Sequence, residues 1–323
     1  MSKPKVIVTR RWPDKVEQAL EEHFDVELNI DDKPFSTAGL KDAMQRADAL
    51  FSTVTDKVDA ELLGTDRRRT KLISQFAVGF NNIDIKAAKQ HGIVVTNTPD
   101  VLTHATADLA MTLMLAVARR AGEGERHVRS KSWTGWRPTH MMGTQVTGKT
   151  LGLIGLGRIG GAMAQKASRG FDMSVIAYDP FPPEAARLTE LGVSMVDSLD
   201  EVFKKSDFVS IHCPATPENR HLVNAARLAS MQQGAFIINS ARGDLIDEQA
   251  LVTALASGQI AGAGLDVFEE EPKITEALLT MENVVLLPHL GSATLETREA
   301  MGFRVLDNAK AFFSDKVPGD RVA

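Results

Sequence analysis

The residues that could do chemistry fall into two groups. The first is Lys149-Thr150-Leu151-Gly152-Leu153-Ile154-Gly155-Leu156-Gly157-Arg158-Ile159-Gly160, an apolar run entering G-x-G-x-x-G. At such a turn Gly155 permits the bend, Gly157 lets the backbone approach a pyrophosphate, and Gly160 lets the next helix pack on its strand. The N–H groups of that helix's first turn, and the positive end of its dipole, then meet phosphate oxygens. The motif alone is weak. Here a helical pattern follows (Met163, Ala164, Ala167), and a second strand ends at Asp179, about 20 residues on, where an acidic side chain meets a ribose. The segment is read as a dinucleotide site, with a glycine-rich turn as the plain alternative. Asp179 would accept from ribose hydroxyls and repel a 2′-phosphate. Pro180-Phe181-Pro182-Pro183 after it supply no cation, so NAD is favoured over NADP. An Asp that only caps its turn would leave that choice open. A second G-x-G, Gly262-Ala263-Gly264, runs into Leu265-Asp266 without a helix and is not read as another nucleotide site.

The second group follows strand-like runs in the second half. Arg242 closes Asn239-Ser240-Ala241-Arg242, Glu271 lies in Asp266-Val267-Phe268-Glu269-Glu270-Glu271-Pro272, and His289 lies in Pro288-His289-Leu290-Gly291-Ser292. Ligands of open α/β sheets sit beyond the carboxyl ends of the strands, so the three can share one crevice. Singly, a surface salt bridge, an acidic turn and a helix-entry residue explain them as well.

Two layers of elements must position these groups. Apolar runs at 6–8, 49–51, 72–74 and 94–95 alternate with helical spacing at 40–46 and 85–90, and stronger strands follow at 151–154, 175–178, 208–211, 236–238 and 284–287. That alternation predicts an α/β fold of parallel sheets covered by helices. One long helix is expected over 101–127, buried to Val117 and exposed after it, and a last helix over 293–313. The irregular stretch 130–148 holds Trp133, Trp136, His140, Met141 and Met142, too apolar for an open linker. Burial against another subunit is the natural reading, and packing on its own domain the alternative.

Composition narrows the rest. With 323 residues, two domains are expected. A net charge of −5 argues against nucleic acid, and the cluster Arg67-Arg68-Arg69 reads as a solvated turn. The single cysteine, Cys213, excludes an intrachain disulfide and points to a reducing, cytoplasmic setting. Met1-Ser2-Lys3-Pro4 reads as a tail without signal-peptide character, and no apolar run reaches membrane-span length, so a soluble protein without a membrane partner is expected. No C-x-x-C or H-E-x-x-H spacing occurs, so no metal site is expected.

In these motifs the chain resembles the D-isomer-specific 2-hydroxyacid dehydrogenases over nearly its whole length. Phe76-Ala77-Val78-Gly79-Phe80-Asn81-Asn82-Ile83-Asp84, Thr98-Pro99-Asp100, Thr106-Ala107-Asp108, the 155–160 loop, 239–243, 266–272 and 288–292 carry the likeness. The arm around Trp133 and Trp136, with Met141-Met142-Gly143 and Thr98-Pro99-Asp100-Val101-Leu102-Thr103, looks most like the glyoxylate/hydroxypyruvate reductase branch. The resemblance implies two doubly wound parallel-sheet domains. A flavodoxin-like substrate domain would comprise 1–99 and 290–323, and a Rossmann-type cofactor domain 100–289, with the long helix at the hinge and 122–148 as a homodimer arm. It implies hydride transfer between NAD(H) and a small D-2-hydroxy acid or 2-keto acid. Arg242 would pair with the substrate carboxylate, and His289 would exchange a proton with the substrate oxygen while Glu271 holds the imidazole. Val78, Gly79, Ser292 and Trp136 would also meet substrate. Thr106, Arg158, Ile159, Cys213, Ala241 and Asp266 would meet the cofactor beside Gly155, Gly157, Gly160 and Asp179. Relatives of other substrate choice, of the D-lactate or D-3-phosphoglycerate type, and an NAD-sensing corepressor are the alternatives. The sequence departs from the branch at His104, where an acidic residue is usual, and at Asp179, where residues suited to NADPH are common. The chain also ends soon after the last helix, without the regulatory extension of some phosphoglycerate dehydrogenases.

Overall fold

Twelve parallel strands form two sheets in a computed structural model that describes residues 3–323; the expected tail at Met1-Ser2 lies outside them. The chain divides into two compact units, one built from residues up to Leu102 with Ser292–Ala323, the other from Thr103–Gly291.

The first unit contains β1 (Lys5–Val8), β2 (Asp25–Glu27), β3 (Ala49–Ser52), β4 (Leu72–Gln75) and β5 (Val94–Thr96), in the order β2-β1-β3-β4-β5. This is the flavodoxin-like arrangement. Val6, Ile7, Val8, Leu50, Phe51 and Ile73 are fully buried, because helices cover both faces. Ser36, Asp59 and Asp84 cap three of these helices by accepting from backbone N–H groups three residues on. The Arg67-Arg68-Arg69 cluster is more engaged than a solvated turn. Arg69 donates two hydrogen bonds to the Asp48 carboxylate, at 2.7 and 2.7 Å, and Arg68 donates to the His91 carbonyl at 2.8 Å.

The second unit contains β6 (Thr150–Ile154), β7 (Ser174–Tyr178), β8 (Val193–Met195), β9 (Phe208–Ile211), β10 (Ala235–Asn239), β11 (Ile260–Leu265) and β12 (Val284–Leu286). Their order, β12-β11-β10-β9-β6-β7-β8, is the Rossmann order with one further strand, and the chain reverses direction across the sheet between β6 and β9. The stretch Gly262-Ala263-Gly264 is the middle of β11. A Cβ at Gly262 would lie 2.7 Å from Val117 Cγ2, and one at Gly264 2.9 Å from Leu113 Cβ. The glycines admit a helix against the strand.

That helix is not the single one expected over 101–127. Thr103–Ala118 is helical and largely buried, and a second helix, Ala121–Arg129, buries none of its residues. The break falls at Arg120, whose φ is +53°, with its guanidinium on Glu123 at 2.7 Å through both nitrogens. The returning chain takes the Ala118 carbonyl through the N–H of Thr144 at 2.8 Å, which stops the helix ladder there. No helix among the described residues is long and apolar enough to cross a membrane.

Candidate active site

The glycine loop leaves β6 at the point where the sheet order reverses. Gly155 has φ +92°, and a Cβ on it would lie 2.8 Å from the backbone nitrogen of Cys213 at the end of β9. Only glycine fits both the conformation and the space. At Gly160 a Cβ would lie 2.2 Å from the Gly155 carbonyl, so the helix Arg158–Phe171 starts tight against the turn. Gly157 caps that helix without any side-chain hydrogen bond, and a Cβ there would meet nothing within 4 Å. The helix N-terminus therefore opens onto space that a pyrophosphate can fill, with Arg158 and Ile159 in its first turn.

Asp179 serves two ends. Its Oδ2 accepts from Leu156 N–H at 2.7 Å and its Oδ1 from Phe181 N–H at 2.8 Å. It is thus the turn cap that the plain reading foresaw. Each oxygen keeps a further lone pair for a ribose hydroxyl, now in a fixed direction. Beneath the loop, burial drives the His212 imidazole down to about 4, with Ser210 Oγ 2.9 Å from its Nε2. Burial, and after it the charge of Asp179, pushes the Cys213 thiol up to about 11, so it stays protonated and is no nucleophile near neutrality.

The candidate reaction residues stand beyond β10, β11 and β12. His289 Nδ1 donates to Glu271 Oε2 at 2.8 Å; a carboxylate can only accept, so Nδ1 carries the proton and Nε2 is the nitrogen left for a substrate. His289 has φ +56°, and its own N–H donates to the Asp266 carbonyl at 2.9 Å. Asp266, fully buried, also accepts from Leu290 N–H at 2.6 Å and Gly291 N–H at 2.8 Å. One buried aspartate thus fixes the turn that aims the imidazole. Burial nevertheless raises the Asp266 pKa above the usual carboxylate value. For Glu271 burial works the same way, but the His289 hydrogen bond and charge, the Phe268 N–H and the Arg242 charge outweigh it. The carboxyl is held below its ordinary value and is ionised at neutral pH.

Arg242 is half-buried, and desolvation lowers its pKa against the pull of Glu271 and Asp244. A guanidinium remains cationic there. Its loop is braced by Asn239, whose side chain donates to the Arg242 carbonyl at 2.8 Å and accepts from Ala241 N–H at 3.0 Å. Sequence reasoning gave Asn239 no role; an amide at a strand end was the only signal. Gly243 is pressed on the Glu271 loop so closely that a Cβ would lie 1.9 Å from the Phe268 carbonyl carbon. Thr106 is buried in the helix Thr103–Ala118.

The second unit therefore brings Arg242, Asp266, Glu271 and His289 together, and the glycine loop together with Asp179 and Cys213. Trp136 stands apart on the arm, 81% exposed. In the first unit, the Ala77 carbonyl accepts from Thr98 N–H at 2.9 Å and the Val78 carbonyl from Asn97 Nδ2 at 2.8 Å. Across trans peptides the N–H groups of Val78 and Gly79 point opposite to these anchors. Ser292 precedes the helix Leu295–Phe313, its carbonyl accepting from Thr294 N–H.

A Rossmann-type sheet with an open pyrophosphate turn and a histidine–carboxylate pair at its carboxyl edge defines a dinucleotide-dependent oxidoreductase. Residues 111–291 match the model of the "D-isomer specific 2-hydroxyacid dehydrogenase, NAD binding domain". The chain belongs to the D-isomer-specific 2-hydroxyacid dehydrogenases and carries their NAD-binding domain. It is 46% identical to a glyoxylate reductase of Thermococcus litoralis, over 99% of this chain and 97% of that one. It is 39% identical to a glycerate dehydrogenase of Hyphomicrobium methylovorum, over 97% of each. Among solved structures it is similar to the NADPH-dependent glyoxylate/hydroxypyruvate reductase of Sinorhizobium meliloti, in complex with NADP and malonate. There the TM-score is 0.88 at 36% identity, over 100% of this chain and 97% of that one.

Proposed function

We propose that this enzyme reduces small 2-keto acids, glyoxylate and hydroxypyruvate foremost, to D-2-hydroxy acids with NADH. The observation that carries the reading is the 2.8 Å bond from His289 Nδ1 to Glu271, in the same unit as the half-buried Arg242. Bound NADH supplies the hydride to the keto carbon. Arg242 pairs in a fork with the substrate carboxylate and polarises the keto oxygen. His289 Nε2 gives that oxygen its proton and takes it back in oxidation, while ionised Glu271 stabilises the imidazolium. The family resemblance assigns the N–H groups of Val78 and Gly79 to the carboxylate as well, and Ser292 and Trp136 to the substrate. Thr106, Ala241, Cys213 and Asp266 line the nicotinamide and ribose side of the cofactor. The names of the relatives support the substrate class. A sensor would need the nucleotide turn but not this proton relay. Absorbance near 340 nm with NADH and a panel of keto acids tests the reading: oxidation fastest with glyoxylate or hydroxypyruvate supports it. Best turnover with pyruvate or 3-phosphohydroxypyruvate would move the assignment within the family, and no oxidation with any acid would overturn it.

The Sinorhizobium reductase is NADPH-dependent and holds NADP, so the cofactor choice is a separate question. Asp179 supports NAD: its carboxylate, held by the Leu156 and Phe181 N–H groups at the end of the second strand of the dinucleotide unit, accepts from ribose hydroxyls and repels a 2′-phosphate. Asp179→Ala is expected to raise NADPH-dependent activity relative to NADH-dependent activity at least about tenfold, the scale of one like-charge contact. An unchanged cofactor ratio would remove Asp179 as selector.

The arm supports a homodimer. Val128, Trp133, Trp136 and Met142 are 54–81% exposed on a single chain, so the alternative of packing on its own domain does not account for them. In the same unit lies a groove of about 880 Å³, walled by Val117, Leu278, Met281 and Leu286 together with Glu123, Arg126 and Met142 of the chain's own arm. Trp133 and Trp136 of one copy, which do not line that groove, would close a twofold pair by seating against the same face of the other. Sedimentation as a dimer at micromolar concentration supports this, and a monomer contradicts it. A reducing, cytoplasmic setting is proposed with it, on the lone thiol of Cys213.

A further inference from the structure

The loop bearing Glu271 is tied down from outside the reaction centre. Two residues before Glu271, Glu269 Oε1 lies 2.5 Å from Nε2 of His221. The main-chain N–H of the same His221 donates to the Asp244 carbonyl at 2.8 Å, two residues beyond Arg242. His221 has φ +49°, a conformation that side-chain-bearing residues rarely adopt, and in it the backbone reaches one loop while the ring reaches the other.

The chain on either side holds this geometry. Val223 N–H donates to the Leu245 carbonyl and Asp247 N–H to the Val223 carbonyl, both at 2.9 Å. Upstream, Asn219 Nδ2 donates to the Pro214 carbonyl at 3.0 Å, so the segment is anchored from the end of β9 onward. Glu269 is fixed in turn: its N–H donates to Glu248 Oε1 at 2.9 Å, and Glu248 is 5% exposed with its other oxygen on the Thr275 hydroxyl. With Gly243 packed on the Phe268 backbone, the two loops have a direct contact and a second, side-chain strut.

We propose that His221 is a positioning residue, which fixes the Arg242 loop and the Glu271 loop to each other through its own N–H and its imidazole. The separation between the guanidinium and the Glu271–His289 pair then depends on it. The proposal rests on the roles given above to Arg242, Glu271 and His289. A loss of about 1 Å in placement at such a centre lowers turnover on the order of a hundredfold.

The test compares His221→Ala with His221→Gln, whose amide can place an N–H donor near the position of Nε2. Both variants carry the same left-handed backbone, so that strain cancels. For glyoxylate reduction His221→Ala is expected to lower kcat/KM at least about tenfold, split between a lower kcat and a higher KM, with the NADH Kd within twofold. His221→Gln should recover most of the loss, and adding Glu269→Gln to His221→Ala should cost little more. Wild-type kcat/KM in His221→Ala overturns the proposal, as does an equal loss in both variants or a loss confined to NADH binding and Tm. If Arg242→Lys and His289→Asn in parallel are also within a few-fold of wild type, the assignment of the reaction centre falls with it; if they are impaired and His221→Ala is not, only the strut is refuted.

Discussion

His289→Ala lowers kcat for keto-acid reduction by at least about a hundredfold, the low end of what a positioned general acid contributes. The NADH Kd stays within about threefold, because the pyrophosphate turn at Gly155 and the cap at Asp179 belong to other loops. Alanine also adopts φ +56° less readily than histidine, which is enriched in the left-handed region, so a poorly folded variant could imitate a catalytic one. His289→Asn separates the two effects: asparagine tolerates the left-handed region, keeps the N–H bond to the Asp266 carbonyl, and offers no acid of suitable pKa. Both variants should lose kcat alike, with Asn retaining the wild-type Tm. Turnover in His289→Asn within a few-fold of wild type would remove His289 from the chemistry.

Arg242→Lys is the second large effect. The charge is kept, so what changes is geometry: a guanidinium donates two parallel bonds to a carboxylate, and an ammonium offers a single point. One lost charge-assisted bond is worth roughly 1.5–3 kcal/mol, or about a hundredfold in kcat/KM at the upper end. The buried setting adds to the loss, because an ammonium is more strongly hydrated than a guanidinium. The loss should appear for every 2-keto acid and leave the NADH Kd within about threefold. Steady-state kinetics on glyoxylate reads it directly, and a loss under threefold would contradict carboxylate recognition by Arg242.

The strands at 49–51, 72–74 and 208–211 were legible because helices cover both faces of these sheets, so each strand is a continuous apolar run. β2 and β8 escaped notice as short edge strands, Asp-Val-Glu and Val-Ser-Met, with little apolar pattern. β11 escaped because its glycines, which admit Leu113 and Val117, lower its strand propensity. The helix break at Arg120 depends on a carbonyl taken by Thr144, a partner 26 residues from Ala118 that no local pattern announces. At the site, G-x-G-x-x-G was readable because each glycine answers a steric demand, whereas Arg242, Glu271 and His289 gained weight only in the family's order. The second task of Asp179 and the bracing by Asn239 are bonds to backbone groups, which leave no mark on side-chain spacing.

The proposed mechanism has His289 carry the proton, held by a carboxylate that does not itself titrate near neutrality. Glu271 is held below the ordinary carboxylate value and stays ionised through the neutral range. Reduction needs the imidazolium and oxidation needs the neutral ring. The decisive experiment follows kcat/KM against pH in both directions, for glyoxylate with NADH and for D-glycerate with NAD. Reduction is expected to fall and oxidation to rise as pH increases, and both limbs should vanish in His289→Asn. Limbs of the same sign in both directions, or limbs that survive in His289→Asn, would contradict a proton carried by His289.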